Sequence, residues 1–123
     1  MNKKPTENEL NVLSIIWDKG PQTVRQIHEQ MSDDKEVRYT TTLKIMQLMS
    51  EKGLLTRIKE GKTHIYDAAV SRTSTQENLV EKMLKTVFKG AASTLAMQAL
   101  GNQKPTKEEL DKIRKYLDDI ENE

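Results

Sequence analysis

The chain has 123 residues, of which 35% are hydrophobic and 32% are charged, and its formal net charge is +1 at pH 7. This length suits one compact domain, or a small domain that carries an oligomerisation segment. The absence of cysteine from the sequence excludes disulfide bonds and thiolate metal sites. The two histidines, His28 and His64, lie far apart without further metal-ligand spacing around them. We therefore expect neither a metal ion nor a cofactor.

Neither end of the chain has the pattern of a membrane or secretion segment. The segment before the first predicted helix, residues 1–5, is short and polar, unlike a signal peptide. The longest uncharged stretch, residues 90–103, is too short and too polar to span a bilayer. We expect a soluble, cytoplasmic protein with no membrane insertion.

Positive charge is concentrated in the middle of the chain. Residues 1–36 carry five basic and seven acidic side chains, residues 37–67 carry six and three, and residues 68–123 carry nine of each. A local positive excess is what a phosphate-binding surface requires. The alternative at this point is an ordinary solvated surface.

The first predicted helix begins with a capping box, Thr6-x-x-Glu9, in which each side chain satisfies the other residue's backbone N–H. Leu10, Leu13 and Trp17 then recur at helical spacing. Other apolar residues lie off this stripe, which indicates contacts on more than one side of the helix.

A second, short helix is capped by Thr23 and has His28 among its apolar residues. A histidine in such a place is expected to be structural and partly buried rather than a ligand. The polar, acidic residues 32–36 are predicted to form a connecting loop.

The third helix is predicted from about Thr40 to Lys52, with two distinct faces at 100° per residue. The packing face comprises Thr42, Ile45, Met46 and Met49. The opposite face comprises Thr40, Lys44, Gln47 and Glu51.

Two short strands follow Gly53, alternate with a period of two, and fold back at Glu60-Gly61. A basic helix joined to a basic hairpin is the layout of a winged helix-turn-helix, in which the helix enters the DNA major groove beside the wing. The sequence therefore predicts a DNA-binding module.

Residue types on the third helix and the wing match DNA contacts. The hydroxyls at the N-terminus of the helix and the Lys44 ammonium can bind DNA phosphates or base edges, and Gln47 can form two hydrogen bonds with adenine. The cations of the wing can bind the DNA backbone. Alternatively, Thr40 only caps the helix and the others are solvated. The predicted DNA-binding residues are Arg38, Tyr39, Thr40, Thr41, Lys44, Gln47, Arg57, Lys59, Lys62 and His64.

From about Thr73 the chain is predicted to be helical again, with more apolar surface than one helix can leave in water. The last helix, opened by the capping box Thr106-x-x-Glu109, has a seam at 3-4-3 spacing. We expect an intertwined helical homodimer, with an intramolecular three-helix bundle as the alternative. The predicted dimerisation residues are Leu79, Met83, Val87, Phe88, Leu95, Leu110, Ile113, Leu117 and Ile120.

The predicted fold is mainly α with a small β-hairpin wing. A winged helix-turn-helix DNA-binding domain covers residues 1–70, and a helical dimerisation domain covers residues 71–123. A winged-helix module that docks a protein partner through its helical tail is the alternative function. We expect no enzymatic activity, because the sequence has no phosphate-binding glycine loop and no pattern of a catalytic triad.

Several segments resemble the BlaI/MecI penicillinase-repressor family. They are YTTxxxxM at residues 39–46, EKGL at 51–54, the Arg57 strand, Gly61-Lys62 and the strand ending in Tyr66. Residues 7–17 are similar to that family's first helix, and VFKG at 87–90 and TxxEL at 106–110 to its dimerisation segment. The likeness covers nearly the whole chain.

This resemblance implies a homodimeric repressor on an inverted-repeat DNA operator, relieved when a membrane sensor-protease pathway that responds to β-lactam leads to its cleavage. The chain departs from the family at two places. Leu48 stands where the family usually has a basic residue, which predicts a different operator. Gln98-Ala99 stands near the cleavage position, where the best-known members have Asn and a bulky apolar residue.

Overall fold

The computed structural model describes residues 4–31 and 37–123, so the predicted loop at residues 32–36 lies outside the described residues. Within these ranges the fold is mainly helical with one antiparallel hairpin, as predicted. The elements are α1 (Glu7–Lys19), α2 (Val24–Met31), α3 (Tyr39–Lys52), β1 (Leu55–Glu60), β2 (Thr63–Ala68), α4 (Arg72–Thr86), α5 (Ala92–Asn102) and α6 (Lys107–Glu121).

The chain forms two compact units, Met1–Glu77 and Asn78–Glu123. The first unit contains the three helices and the hairpin of a winged helix. The functional division after residue 70 stays a prediction.

Glu9 links the start of α1 to the end of α3. The Thr6 N–H donates to Glu9 Oε1 at 2.9 Å and the Glu9 N–H donates to Thr6 Oγ1 at 3.2 Å, which confirms the capping box. Lys52 Nζ donates to the second carboxylate oxygen of Glu9 at 2.8 Å. Glu9 is only 4% exposed, so both of its oxygens are used in a nearly water-free position.

The core lies where α1, α2, α3 and β2 meet. The predicted α1 stripe is displaced: Leu13 is buried, but Leu10 and Trp17 are only partly buried. The contacting elements approach α1 from several sides, and the Trp17 indole N–H lies at the edge, donating to the Val70 carbonyl at 3.0 Å. The buried apolar residues are Val12, Leu13, Ile16, Val24, Ile27, Met46, Met49, Leu54, Leu55 and Tyr66.

Gly53 ends α3 and directs the chain into β1. Its backbone is left-handed, with φ 83° and ψ 17°. The Gly53 N–H donates to the Ser50 carbonyl at 3.2 Å, and the Leu54 N–H donates to the Met49 carbonyl at 2.9 Å. This is a Schellman motif, completed by the apolar pair Leu54 and Met49, both of them buried. The motif fixes the angle between α3 and the hairpin.

The hairpin closes with a two-residue loop, since Glu60 pairs with Thr63. Its central residues are Gly61 and Lys62, one position later than the predicted turn. Gly61 has φ 64°, whereas Lys62 is not in the positive-φ region. This combination is that of a type II′ turn, whose twist matches the strands.

Tyr66 fastens the hairpin to the helices. The Tyr66 N–H donates to the Gln22 carbonyl at 2.8 Å, and the Gln22 N–H donates to the Tyr66 carbonyl at 3.0 Å. The Tyr66 side chain is 1% exposed within the core. Backbone pairing and burial of the ring together fix the position of the wing relative to α1 and α2.

The second unit lacks a buried core within the single chain. None of residues 78–123, all of them described, is buried. The apolar side chains Val87, Met97 and Leu117 are 71%, 69% and 57% exposed. The single chain therefore does not close the core of an intramolecular three-helix bundle.

In the described parts of the chain, every helix is too short or too polar to cross a membrane.

Replacing Glu9 with Ala is expected to lower the free energy of unfolding by about 2 kcal/mol, because it removes both the capping box and the Lys52 contact. The matched control is Glu109→Ala, which opens the α6 capping box, where the structure gives Glu109 no ion pair. That loss should stay below about 1 kcal/mol. Urea unfolding at a fixed protein concentration measures both variants. Equal losses would contradict the role assigned to the Lys52 contact.

Candidate nucleic-acid interface

The outer face of α3 carries the polar residues that the sequence singles out. Thr40, Thr41, Lys44 and Gln47 are all exposed, whereas Thr42, Met46 and Met49 on the other face are buried. The predicted division of this helix into two faces is therefore confirmed. Ile45 is only partly buried.

A hydrogen bond made by a buried threonine fixes the rotation of α3 about its own axis. Thr42 is fully buried, and its hydroxyl lies 2.8 Å from His28 Nδ1 on α2. A buried hydroxyl without a partner would cost about 1–3 kcal/mol, so α3 cannot turn freely. His28 is partly buried and hydrogen-bonded, which confirms its predicted structural role.

The N-terminus of α3 differs from the capping alternative. Arg38, not Thr40, occupies the N-cap, and its side chain makes no capping hydrogen bond. The Arg38 carbonyl accepts from the N–H groups of Thr41 and Thr42 at 3.0 and 3.2 Å. The hydroxyls of Thr40 and Thr41 are therefore not required for capping.

Strand register separates the charges of the wing onto two faces. Arg57 lies opposite Tyr66 and Lys59 lies opposite His64, so these four side chains share one face. Glu60 and both isoleucines of the wing belong to the other face. The members of that outer face are Thr56, Ile58, Glu60, Thr63, Ile65 and Asp67.

A cleft of about 530 Å³ lies between α2, α3 and the inner face of the wing. The polar and charged residues that line it are Thr23, Arg25, Tyr39, Gln47, Arg57, Lys62, Thr63 and His64. None of the described residues that line it is acidic. Its chemistry therefore favours an anion.

The predicted site residues fall into two groups. The cleft brings together Tyr39, Gln47, Arg57, Lys62 and His64. The others do not line it: Arg38 is the N-cap of α3, Thr40, Thr41 and Lys44 lie along α3, and Lys59 lies on β1.

Arg25 belongs to this cleft but is not among the residues predicted from the sequence. Its guanidinium carbon lies 4.7 Å from the centroid of the Tyr39 ring. Its place in the first turn of α2 can be read from the Thr23 cap. Its approach to Tyr39 cannot, because it depends on how α2 packs against α3.

Leu48 is 39% exposed one turn after Lys44 on α3. Beside the outer face, the exposed surface of the helix thus presents an apolar side chain at this position rather than a charged one. Among the described residues, no cluster of three or more His, Asp or Glu side chains could hold a metal ion.

Comparison with known proteins finds similar chains whose names describe transcriptional regulators and repressors. The chain is 36% identical over 59 residues to the transcriptional regulator BlaI of Mycobacterium tuberculosis, a match that covers 47% of this chain and 43% of that protein. It is 21% identical over 112 residues to the penicillinase repressor of Staphylococcus aureus, a match that covers 91% of this chain and 89% of that protein. The match to the mycobacterial regulator thus spans less than half of its length.

Among solved structures, the fold resembles that of the Bacillus licheniformis BlaI monomeric form in complex with the blaP half-operator. The TM-score is 0.50 at 23% identity, covering 59% of this chain and 92% of that one. The penicillinase repressor family profile matches residues 5–119 of this chain. The chain therefore belongs to the penicillinase repressor family.

Proposed function

We propose that this chain is a sequence-specific DNA-binding transcriptional repressor that acts in the cytoplasm as a homodimer on an inverted-repeat operator. The observation that carries the proposal is the pairing of an exposed polar helix face with a cationic cleft beside it. The helix face belongs to α3, and cations from α2 and the hairpin line the cleft. We assign the reading of DNA bases to the helix face and the binding of the DNA backbone to the cations beside it.

Base reading is assigned to the outer face of α3. A helix of this kind fits the major groove, where Lys44 can reach guanine O6 and N7 and Gln47 can pair with adenine N6 and N7. The hydroxyls of Thr40 and Thr41 lie in the first turn, where the helix dipole favours phosphate contacts. Leu48 offers only apolar contact, such as with a thymine methyl.

Backbone binding is assigned to the wing. Arg57 and Lys59 lie on its inner face and Lys62 in its turn, all exposed. Glu60 and Asp67 lie on the outer face, away from those cations. Each phosphate that a cation neutralises adds about −0.9 to the slope of log affinity against log salt concentration.

Pairing of two copies is supported by the second unit. Its apolar residues have no buried core in the single chain, although they recur along α4, α5 and α6. The seam on α6 consists of Leu110, Ile113, Leu117 and Ile120, which are partly buried or exposed. A second copy would remove this surface from water at about 25 cal/mol per Å² of apolar area. Two copies related by a twofold axis would read an inverted repeat.

Relief by cleavage is the remaining part of the proposal, through a membrane sensor-protease pathway that responds to β-lactam. The corresponding position, Gln98-Ala99, is exposed and lies inside α5. Proteases act on extended chain, so α5 has to unfold locally. No residue of α5 is buried, which keeps the free energy of that opening low.

The variants Lys44→Ala and Lys62→Ala separate base reading from backbone binding. Lys44→Ala should weaken operator binding by about 1–3 kcal/mol and reduce discrimination against mutated operators. Lys62→Ala should weaken specific and unrelated DNA alike and lower the salt slope by about 0.9 per copy. Gel shift or fluorescence anisotropy, with fragments from around the protein's own gene, gives both quantities.

The same loss of specificity in both variants would contradict these roles. A wild-type chain that binds all fragments weakly and gives no specific band near physiological salt would overturn the proposed function. If it then formed a stoichiometric complex with another protein, the alternative of a protein-interaction module would replace it.

Leu117→Glu is expected to shift the protein toward monomer and to reduce binding to the full operator while leaving half-operator binding unchanged. A charge in an apolar seam loses its hydration when two copies pair. The matched control is Tyr116→Glu, since Tyr116 is the neighbouring residue, 66% exposed, outside the seam. Analytical ultracentrifugation measures the change. Dissociation by Tyr116→Glu alone would place the seam on a different face of α6.

Treatment of the source cells with a β-lactam is expected to shorten the repressor and to raise transcription from its operator. Immunoblotting and transcript measurement on the same samples test both effects. Derepression with the chain intact would reject cleavage as the release step and leave DNA binding unaffected.

A further inference from the structure

We propose that Arg25 binds a phosphate of the DNA backbone in the cleft, and that Tyr39 positions Arg25 rather than contacting a base. This inference rests on the proposed function and adds α2 to the DNA interface. It also changes the role predicted for Tyr39. The juxtaposition that carries it is the Arg25 guanidinium over the Tyr39 ring, with both residues lining a cationic cleft.

The contact of Arg25 with an aromatic ring leaves its hydrogen-bond donors available. A guanidinium over the face of Tyr39, 4.7 Å from the centroid, is held by the ring's π electrons. A carboxylate would instead neutralise the charge and use two N–H groups at once. The planar N–H edge of Arg25 therefore remains suited to two phosphate oxygens.

The Tyr39 ring is itself held in place from the core. It forms a T-shaped pair with the His28 ring, with centroids 5.6 Å apart and planes at 83°. His28 is in turn hydrogen-bonded to the buried Thr42 hydroxyl. Arg25 thus rests on a series of contacts that begins inside the protein, and less side-chain entropy is lost when it binds an anion. Tyr39 is partly buried, as a supporting residue is expected to be.

The surroundings of Arg25 define the ligand. Arg57, Lys62 and His64 approach from the wing, so the cleft gathers nitrogen donors from two sides. Gln47, on the outer face of α3, lines the same cleft. When α3 occupies the major groove, the cleft lies beside that groove. The sugar-phosphate backbone of the same DNA runs along the edge of the groove, so one of its phosphodiesters is the anion expected in the cleft.

The first test compares Arg25→Ala with Arg25→Lys in the full-length chain, using a half-operator duplex over a range of salt concentrations. Arg25→Ala should raise Kd about tenfold, the loss expected for one charged hydrogen-bonded contact, and lower the salt slope by about 0.9. Arg25→Lys should keep the slope but recover only part of the affinity, because an ammonium lacks the planar fork.

The second test identifies what Tyr39 contributes. Tyr39→Phe keeps the ring and should bind DNA like the wild type, whereas Tyr39→Leu should lose part of the affinity that Arg25→Ala loses and keep the wild-type salt slope, because the Arg25 charge remains. The double variant Arg25→Ala with Tyr39→Leu should be no weaker than Arg25→Ala alone, since Tyr39 acts only through Arg25. Circular dichroism melts establish that each variant folds.

The outcomes separate this inference from the proposed function. If the wild type binds the half-operator specifically while Arg25→Ala leaves Kd and salt slope unchanged, the phosphate contact is wrong and DNA binding stands. If Tyr39→Phe weakens binding as much as Tyr39→Leu, the hydroxyl contacts DNA and the positioning role is wrong. If the wild type shows no specific binding, the proposed function itself fails.

Discussion

The position of the wing depends on Tyr66, whose backbone pairs with Gln22 and whose ring lies in the core. Strand geometry transmits this constraint along the hairpin. With Tyr66 facing inward, its partner Arg57 faces the same way. Lys59 and His64 also face inward, because each lies two residues from Arg57 or Tyr66 on its own strand. One buried aromatic ring therefore decides which charges of the wing face the helices. The Schellman motif at Gly53 supplies the matching constraint at the other end of the hairpin.

Helix α3 is oriented by contacts on its inner side, which leaves its outer side available for recognition. The Thr42 hydroxyl is hydrogen-bonded to His28, and Lys52 at the C-terminal end of α3 forms an ion pair with Glu9 of α1. These two polar contacts lie at opposite ends of the helix. They fix its rotation more narrowly than methionine packing does, because methionine adapts to irregular space and a hydrogen bond needs a defined geometry. Rigid support of this kind is what a helix that reads base edges requires.

The periodic elements could be predicted from the sequence, and the contacts between them could not. The 3.6-residue pattern of α3 and the alternation of the hairpin are local signals, as are the capping boxes at Thr6 and Thr106. Arg25 escaped prediction because its meeting with Tyr39 depends on packing between two helices. The same holds for Glu9, whose capping role is visible locally but whose contact with Lys52 is not.

The open apolar faces of the second unit have a consequence for how the amount of protein sets its effect. If pairing of two copies completes the core there, the paired fraction depends on concentration by mass action. At low abundance the number of pairs then follows the square of the free chain concentration, so operator occupancy falls faster than the protein level. Cleavage or dilution of a modest share of the chains would then release a larger share of the operators.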